Sequence, residues 1–381
     1  MKLVAVIGTA GKDEHVRIRS IRDLPTPFAK FVKKTLPFSK IEEYYGIGWD
    51  MERVYEELKK HLTSPIRYSY GGRAPHVAYG LALLKGEVSL VTTFGSDYDY
   101  PYPGFFGGGY VTHLRNSGVS FGTCEIHLKD EGLEKIPSEI LDKEVWIVKN
   151  KTTSTIVCVK DEEGNDFYYI DDVGGAGKVE FWRPIPKKTL ASSDIVFVTS
   201  SETPFMKEAV SVAHAYEKVV VLDVGSYGVT KEYLGEVVPK TDVLLGNQYE
   251  LSQVLEAFEL KRLGDILELG SDKPRAVVYE DKVLGIIRLF ERGKPEYKIG
   301  PIPINKTGSS VGACDGMATG ILSGLQRDLP LQEACKIGLL EASSIWEVEG
   351  VQEGMLNKEG MLSRYVMSFG HENLDLLRKS Y

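Results

Sequence analysis

Continuous apolar runs of strand length recur through the chain and constrain its fold more than any other feature. The first, Leu3 to Ile7, contains no polar residue and ends at Gly8. A run without polar alternation is typical of a strand that is buried on both faces of a sheet. Because helical patterns separate several of these runs, they predict an α/β protein whose mostly parallel sheet is covered on both faces. The other runs are Val88 to Thr92, Ile195 to Val198, Val219 to Leu222, Val243 to Leu245 and Ala276 to Val278.

A second kind of strand pattern alternates apolar and polar residues. It occurs at His15 to Ile21, more weakly at Arg67 to Tyr70, and again at Cys124 to Leu128. Such alternation indicates strands with one solvated face, so these segments predict a separate small sheet. An insert of mixed composition, from Asp23 to Thr63, lies between the first two of these segments, and its sequence predicts no function. A length of 381 residues still suits one main domain, residues 1–381.

The charge and the cysteines narrow the class of partner. A net charge of -8 argues against nucleic acid or an anionic membrane as the main partner and favours small-molecule chemistry. The four cysteines form no CxxC pair, so neither a disulfide framework nor a structural zinc site is indicated. The N-terminal apolar run is too short for a signal peptide or a membrane span. We therefore expect a cytoplasmic protein.

The segment from Asn305 to Leu322 carries the clearest chemical signal, because its glycines and small residues stop where a helical pattern begins. The first N–H groups of a helix lack partners and carry partial positive charge, which suits a phosphate. Gly308 and Gly312 permit close approach, Ala313 and Cys314 are small, and Asp315 projects from the first turn. An acid beside an anion site suits phosphoryl transfer. The simpler alternative is an acid that merely complements the helix dipole.

Two more segments follow buried strands or tight turns. Asp13 lies just beyond the first strand, where ligands bind in open α/β sheets, and a carboxylate can accept hydrogen bonds from two hydroxyls. Gly71 and Gly72 form a turn into a helix that carries Arg73 and His76 near its start. The structural alternatives are a loop acid capping its own turn and a histidine satisfied within the core.

Asn247 and Glu250 leave another buried strand three residues apart. This spacing is also that of a helix capping box, which would explain both residues without any ligand. Beside a phosphate site, however, a carboxylate and an amide oxygen could hold a hydrated Mg²⁺. Both interpretations stay open at this point.

The order and spacing of these four elements resemble the ribokinase-like (PfkB-type) family of carbohydrate and nucleoside kinases, over most of the chain. The matching positions are Gly8 with Asp13, Gly71 with Gly72, Asn247 with Glu250, and Gly312 to Asp315. Further similar segments are Phe94 to Asp97, Thr152 to Phe167 and Val219 to Gly225.

The resemblance implies roles for these residues. Asp315 would be the catalytic base, with Gly312, Ala313 and Cys314 supplying the anion hole. Asn247 and Glu250 would organise Mg²⁺, through water, and the phosphates of ATP, and Gly225 and Gly312 would also contact the nucleotide. The sugar or nucleoside acceptor would face Asp13, Gly71, Gly72, Arg73 and His76.

The resemblance also implies a three-layer α/β/α sandwich with a small β-sheet lid, formed by inserted segments at approximately 14–70 and 119–150. Lid closure would exclude water and limit wasteful hydrolysis. We also expect a second copy of the chain as a partner, in a homodimer formed through the lid.

Four departures from the family pattern concern specificity. Cys314 replaces the second glycine of the G-A-G-D motif, and Ser309 stands where an aspartate near a monovalent-cation site is common. His76 replaces an asparagine that reads sugar hydroxyls. The segment Val278 to Gly285 lacks the usual threonine and glycine of the nucleotide loop.

The leading hypothesis is therefore an ATP-dependent, Mg²⁺-requiring kinase that acts on a sugar or nucleoside. A nucleoside would need aromatic stacking, which Tyr98 to Phe106 could supply, although the stretch Ser96 to Tyr110 suits a plain hinge equally well. The alternative from another class is a ligand-binding or regulatory protein of the same fold with little or no activity. A dinucleotide-binding oxidoreductase is poorly supported, because Gly104 and Gly107 to Gly109 do not follow a buried strand.

Overall fold

The computed structural model describes most of the chain, and structural statements below refer to that part. The described residues are 1–20, 23, 56, 58–98, 109–122, 133–135, 145–148, 151–163, 166–170, 176, 185–199, 204–225, 229–270, 273–281, 285–305 and 311–381, with only the backbone described at 133–135 and 166–170. Several expectations lie outside these residues: the strand at Cys124 to Leu128, Gly308 and Ser309, residues 99–108 of the aromatic stretch, and nearly all of the insert from Asp23 to Thr63.

A nine-stranded sheet forms the centre of the described structure, and all six apolar runs are strands in it. Seven neighbouring strands of this sheet are parallel, and the two strands at one edge, Ile286–Glu291 and Tyr297–Ile299, pair antiparallel. In spatial order the strands are β16 (Tyr297–Ile299), β15 (Ile286–Glu291), β14 (Ala276–Asp281), β13 (Val243–Asn247), β12 (Val219–Asp223), β11 (Ile195–Val198), β1 (Leu3–Ile7), β4 (Glu87–Val91) and β6 (Ser120–Phe121).

Helices cover both faces of this sheet. Alternate residues of β1 point to opposite sides, so Val4 and Val6 belong to one core, whereas Ala5 and Ile7 belong to the other. The first core is covered by α1 (Arg73–Leu83), α2 (Tyr110–Asn116), α7 (Ala313–Gln326), α8 (Leu331–Ile345), α10 (Lys358–Phe369) and α11 (Leu374–Ser380). The second is covered by α3 (Lys187–Ser192), α4 (Pro204–Ala215), α5 (Lys231–Val237) and α6 (Gln248–Ala257). The expected three-layer sandwich is confirmed.

Two smaller sheets flank the main one. The four-stranded sheet has the order β10 (Asp166–Ile170), β9 (Thr155–Asp161), β2 (Gly11–Ile18), β3 (Arg67–Gly71), and the three-stranded sheet has the order β5 (Thr93–Gly95), β8 (Trp146–Val148), β7 (Leu133–Lys135). A small separate sheet was expected, and β2 and β3 come from the expected first segment. Its other two strands do not come from 119–150. They lie at 155–170. The expectation missed β9 because Val157, Cys158 and Val159 are apolar and buried in succession, so the strand lacks the polar alternation on which the expectation was based.

The topology brings distant segments to one edge of the main sheet. Only three residues separate the end of β1 from β2, so Asp13 lies where the main sheet meets the four-stranded sheet. Gly8 makes this close approach feasible, since a Cβ there would lie 2.8 Å from the carbonyl oxygen of Thr199. Strands β12, β13 and β14 end at the same edge, near the starts of α1 and α7. In the described part of the chain, no helix is long and apolar enough to cross a bilayer.

Candidate active site

The start of α7 carries the acid expected from the sequence. Gly312 precedes the helix with a φ of 84°, a left-handed conformation that favours glycine, and a Cβ there would lie 2.4 Å from a methyl carbon of Val351. The helix begins at Ala313, which places Asp315 in its first turn. The Asp315 side chain is buried. A buried carboxylate thus lies beside the N–H groups that a helix start leaves without helical partners.

Asp315 contacts two residues from the first turn of α1. The Nδ1 atom of His76 lies 2.9 Å from Asp315 Oδ2, and Arg73 Nε lies 3.3 Å from Oδ1. Gly72 permits this arrangement, because its φ of 94° starts the helix and a Cβ there would lie 2.5 Å from the backbone nitrogen of Gly11. Burial alone would lower the pKa of His76, but its hydrogen bond to Asp315 and the charge of Asp13 raise it.

Asp13 is a buried carboxylate that is only partly satisfied. Its Oδ2 lies 3.6 Å from His76 Nε2, and its Oδ1 has no hydrogen-bond partner among the described residues. Gly71 makes room for it, because a Cβ at position 71 would lie 1.9 Å from Oδ1. Burial raises the pKa of Asp13 to about 7, with His76 opposing the shift. A buried carboxylate oxygen without a partner is the kind of group that a ligand hydroxyl can satisfy.

An aromatic stack supports the Gly71 segment from behind. Tyr70 stacks on Tyr110 and on His113, each with ring centroids 4.5 Å apart, and the Tyr110 hydroxyl donates to the carbonyl of Gly71. Both tyrosines are buried in the core. Tyr110 closes the aromatic stretch noted in the sequence, and it packs in the core rather than forming part of a hinge.

Arg73 contacts two further acids besides Asp315. One terminal nitrogen lies 2.8 Å from Asp223 Oδ2 and 3.4 Å from Glu250 Oε1, in addition to the Nε contact with Asp315. Burial opposes the charge of Arg73, yet these carboxylates raise its pKa well above the ordinary value. Asp223 is held in turn by the hydroxyl of Thr199, at 2.7 Å. One guanidinium therefore connects α1 with β12, α6 and α7.

Asn247 and Glu250 form the capping box that their spacing allowed. Asn247 Oδ1 accepts from the backbone nitrogens of Tyr249 and Glu250, and Glu250 Oε2 accepts from Asn247 N at 2.9 Å. Structural and functional interpretations are compatible here, since the cap turns Glu250 Oε1 toward Arg73.

Cys314 occupies the space between α7 and two neighbouring strands. Its thiol donates to Glu280 Oε2 at 2.8 Å, and Asn247 Nδ2 lies 3.8 Å from the sulfur. Glu280 is buried near the end of β14 and also borders a groove between β14, β15 and α8. The groove is lined mainly by apolar side chains, among them Ile286, Ile287, Ile304, Leu339 and Trp346.

The structure brings every predicted site residue to this edge of the sheet, and Gly225 N lies 3.4 Å from Asp223 Oδ1. Sequence reasoning missed Asp223, Glu280 and Thr199. The available signal was position, because each lies at or just beyond the carboxyl end of a buried strand, where ligands bind in such sheets.

Among the described residues, the acidic side chains of the site do not form a cluster that would bind a metal ion directly. Within the described ranges, no group of three or more His, Cys, Asp or Glu side chains could hold a metal ion. Asn247 Oδ1 and Glu250 Oε2 are both engaged in the cap. These residues suit a cation that keeps its own water molecules, as Mg²⁺ commonly does.

The chain is similar to known kinases in sequence and in fold. Residues 133–358, more than half of the chain, match the model of the pfkB family carbohydrate kinases. A nucleoside kinase of Methanothermobacter thermautotrophicus is 22% identical over 316 residues, which cover 81% of this chain and 88% of that protein.

Two solved structures share the fold. One is a nucleoside kinase of Burkholderia thailandensis in complex with inosine, with a TM-score of 0.69, 13% identity, and coverage of 96% of this chain and 98% of the other. The second is a ribokinase of Cryptococcus neoformans in complex with ADP, with a TM-score of 0.66, 18% identity, and coverage of 96% and 100%.

Proposed function

The chain is a kinase that belongs to the pfkB family of carbohydrate kinases, and on that premise we propose that it transfers the γ-phosphoryl group of ATP to a hydroxyl of a nucleoside, with Asp315 as general base. One observation carries this proposal. The Asp315 carboxylate is buried in the first turn of α7, where it meets Arg73 and His76. A base for the acceptor hydroxyl and helix N–H groups for the phosphoryl oxygens thus occur together.

The proposed step balances without any further reactant. The acceptor hydroxyl oxygen forms a bond to the γ-phosphorus, the bond from that phosphorus to the bridging oxygen of ADP breaks, and Asp315 takes the hydroxyl proton. The first-turn N–H groups of Ala313 and Cys314 would stabilise charge on the phosphoryl oxygens. The positive charge of Arg73 acts in the same direction.

A nucleoside is the acceptor that we favour over a free sugar. The nucleoside kinase relative and the inosine-bound neighbour support this choice. The partnerless Asp13 Oδ1 would accept from a ribose hydroxyl beside Gly71 and Gly72, with Arg73 close by. The base of the nucleoside would need an aromatic partner, and Tyr98 is the residue of the stretch Tyr98 to Phe106 that lies within the described part of the chain.

ATP would bind between the start of α7 and the groove beside Glu280. Gly312 and Gly225 would flank the phosphates, and the apolar side chains of the groove would contact the base. Asn247 and Glu250 would hold a hydrated Mg²⁺ through water, and such an ion neutralises charge on the β- and γ-phosphates.

The test is a phosphorylation screen over nucleosides, pentoses, hexoses and inositols with ATP and Mg²⁺. We expect turnover with at least one nucleoside. We expect Asp315→Asn to lower kcat by about 10²- to 10⁴-fold while ATP binding, measured by calorimetry, is retained. The matched control is Asp328→Asn, because Asp328 is an exposed acid just beyond the other end of α7.

Each alternative has its own outcome. Saturable ligand binding without turnover in the wild-type protein would favour a regulatory protein of this fold. Turnover with sugars alone would overturn the choice of a nucleoside. Near-normal kcat in Asp315→Asn would remove Asp315 from the role of base.

A further inference from the structure

His76 lies between the two buried acids of the site, and both of its ring nitrogens are engaged. Nδ1 lies 2.9 Å from Asp315 Oδ2, and Nε2 lies 3.1 Å from the backbone carbonyl oxygen of Tyr70. The ring is buried, as are Asp13 and Asp315. With no nitrogen left for a ligand, His76 does not suit the expected role of reading an acceptor hydroxyl directly.

The contacts fix where the protons of this ring must be. A carbonyl oxygen can only accept, so Nε2 carries a proton. If Nδ1 carried none, its lone pair would face the Asp315 carboxylate at 2.9 Å, which is repulsive unless Asp315 is itself protonated. One proton therefore belongs between Nδ1 and Oδ2, and it resides either on His76 or on Asp315.

The location of that proton decides whether Asp315 can act as a base. A protonated carboxyl group cannot take the proton of an acceptor hydroxyl, whereas a carboxylate beside an imidazolium can. His76 holds Oδ2 at 2.9 Å, whereas Oδ1 makes the longer contact of 3.3 Å to Arg73 Nε. A carboxylate oxygen can accept more than one hydrogen bond, so Oδ1 can also accept from the hydroxyl. His76 then orients the carboxylate and does not lose its own proton during the reaction.

We propose that His76 is a positioning residue held as an imidazolium between Asp315 and Asp13, which keeps Asp315 ionised and directs its Oδ1 toward the acceptor hydroxyl. This inference rests on the proposed function for its catalytic meaning. The protonation state itself does not depend on which acceptor is used.

The charges around His76 favour the imidazolium. Asp315 from α7 and Asp13 from β2 lie closest, and Glu353 of α9 (Val351–Gly354) adds a further acid. Burial and Arg73 on α1 oppose them, although Arg73 is already compensated by three carboxylates. His15 on β2 adds no opposing charge at neutral pH, because burial lowers its pKa to about 4. In balance the pKa of His76 is raised.

The first test is independent of activity. Side-chain ¹⁵N NMR of the whole protein, with the His76 signals identified from a His76→Asn sample, should show both ring nitrogens protonated at pH 7. The ring should lose its proton only at a pH above the ordinary pKa of a histidine side chain. A neutral ring with a proton on Nε2 alone at pH 7 would overturn the proposal, whatever the substrate proves to be.

The second test is the pH profile of kcat. In His76→Asn the amide can still donate to Asp315, but the positive charge is lost, so the acidic limb should move to higher pH by about one to three units. The basic limb that reports loss of the His76 proton should disappear. His214→Asn is the matched control and should leave the profile unchanged.

The pattern of kinetic constants separates this role from others. We expect kcat to fall in His76→Asn at neutral pH with KM for ATP unchanged, and His76→Gln to behave in the same way. An acidic limb that coincides with that of the wild-type protein, or a rise in acceptor KM with normal kcat, would overturn the proposal. An imidazolium found by NMR in a protein that phosphorylates no acceptor would instead refute the proposed function alone.

Discussion

At the scale of single residues, the site depends on glycines, which have no side chain, as much as on its charged residues. Asp13 can lie against the Gly71 turn only because residue 71 has no Cβ, and Gly72 adopts a φ of 94° that starts α1 beside it. The glycines therefore set the position of Asp13 Oδ1, the oxygen that has no hydrogen-bond partner among the described residues. This explains why a Gly-Gly pair precedes the helix that carries Arg73 and His76.

Gly71→Ala tests this interpretation. A methyl group would lie 1.9 Å from Asp13 Oδ1 and must displace that carboxylate. We expect KM for the acceptor to rise by about tenfold or more, equivalent to about 1.4 kcal/mol of binding, whereas KM for ATP changes little. Steady-state kinetics with each substrate varied would measure both.

A second glycine provides the control for this variant. A Cβ at Gly235, in α5, would meet nothing within 4 Å. Gly235→Ala should therefore leave both KM values unchanged, and the gain in helix propensity should stabilise the protein slightly. Equal acceptor KM values in Gly71→Ala and Gly235→Ala would contradict the role assigned to Gly71.

At the scale of secondary structure elements, helix starts carry the site. The starts of α1 and α7 each follow a glycine with positive φ, and α6 starts with the capping box of Asn247 and Glu250. The cap satisfies backbone groups of α6 and also fixes the carboxylate that faces Arg73. Helix stability and site geometry thus depend on the same side chains.

Asn247→Ala separates these two contributions. Loss of the cap should lower the free energy of unfolding by about 0.5–2 kcal/mol, and the displaced Glu250 should also raise KM for ATP. Denaturant titration and steady-state kinetics measure the two effects.

Thr230 caps α5 in a similar way, since its hydroxyl accepts from Tyr233 N at 3.2 Å. Thr230→Ala should therefore destabilise the protein without changing KM for ATP. If the two variants changed stability and kinetics alike, Asn247 would have no role beyond its helix.

At the scale of the whole molecule, ion pairs join the four-stranded sheet to the helical layer. Glu349 lies between α8 and α9, and its Oε2 is 2.8 Å from Arg67 Nη1 on β3 and 3.1 Å from Arg17 Nη2 on β2. Burial tends to raise the pKa of Glu349, but the two arginines lower it. A carboxyl group with a lowered pKa stabilises the fold above its ordinary pKa, and that contribution is lost as the pH falls.

Glu349→Gln tests whether this contact holds the small sheet over the site as a lid. The pairs are partly exposed, so we expect a loss of up to about 1 kcal/mol, seen as an acceptor KM raised by at most about fivefold. Hydrolysis of ATP without acceptor should increase. The difference in stability from the wild-type protein should vanish in acid, where Glu349 is protonated.

Glu162→Gln is the control on the same sheet, because Glu162 is exposed just beyond the end of β9. It should change neither KM nor ATP hydrolysis. If the Glu349 variant also left both unchanged, the contact would have only a structural role.

The sequence alone predicted the elements and most of the site. Apolar runs identified six central strands, and four motifs in a fixed order identified the family. The same motifs predicted Asp13, Arg73, Asn247 and Asp315 as site residues, and these residues lie close together in the structure. Such features are local, because burial on both faces, left-handed turns and helix starts each leave a pattern within a few neighbouring residues. The bounds of the small sheet were predicted less well, since β9 is apolar on both faces.

Only the tertiary structure decided how these residues act on one another. Arg73 contacts Asp223, Glu250 and Asp315, which lie 150, 177 and 242 positions away in the sequence. No local pattern around Arg73 could therefore predict these contacts. The protonation of His76 likewise follows from an acid 239 positions away. Chain patterns encode where a strand or helix ends, whereas charge and proton sharing depend on distances that exist only once the elements have packed.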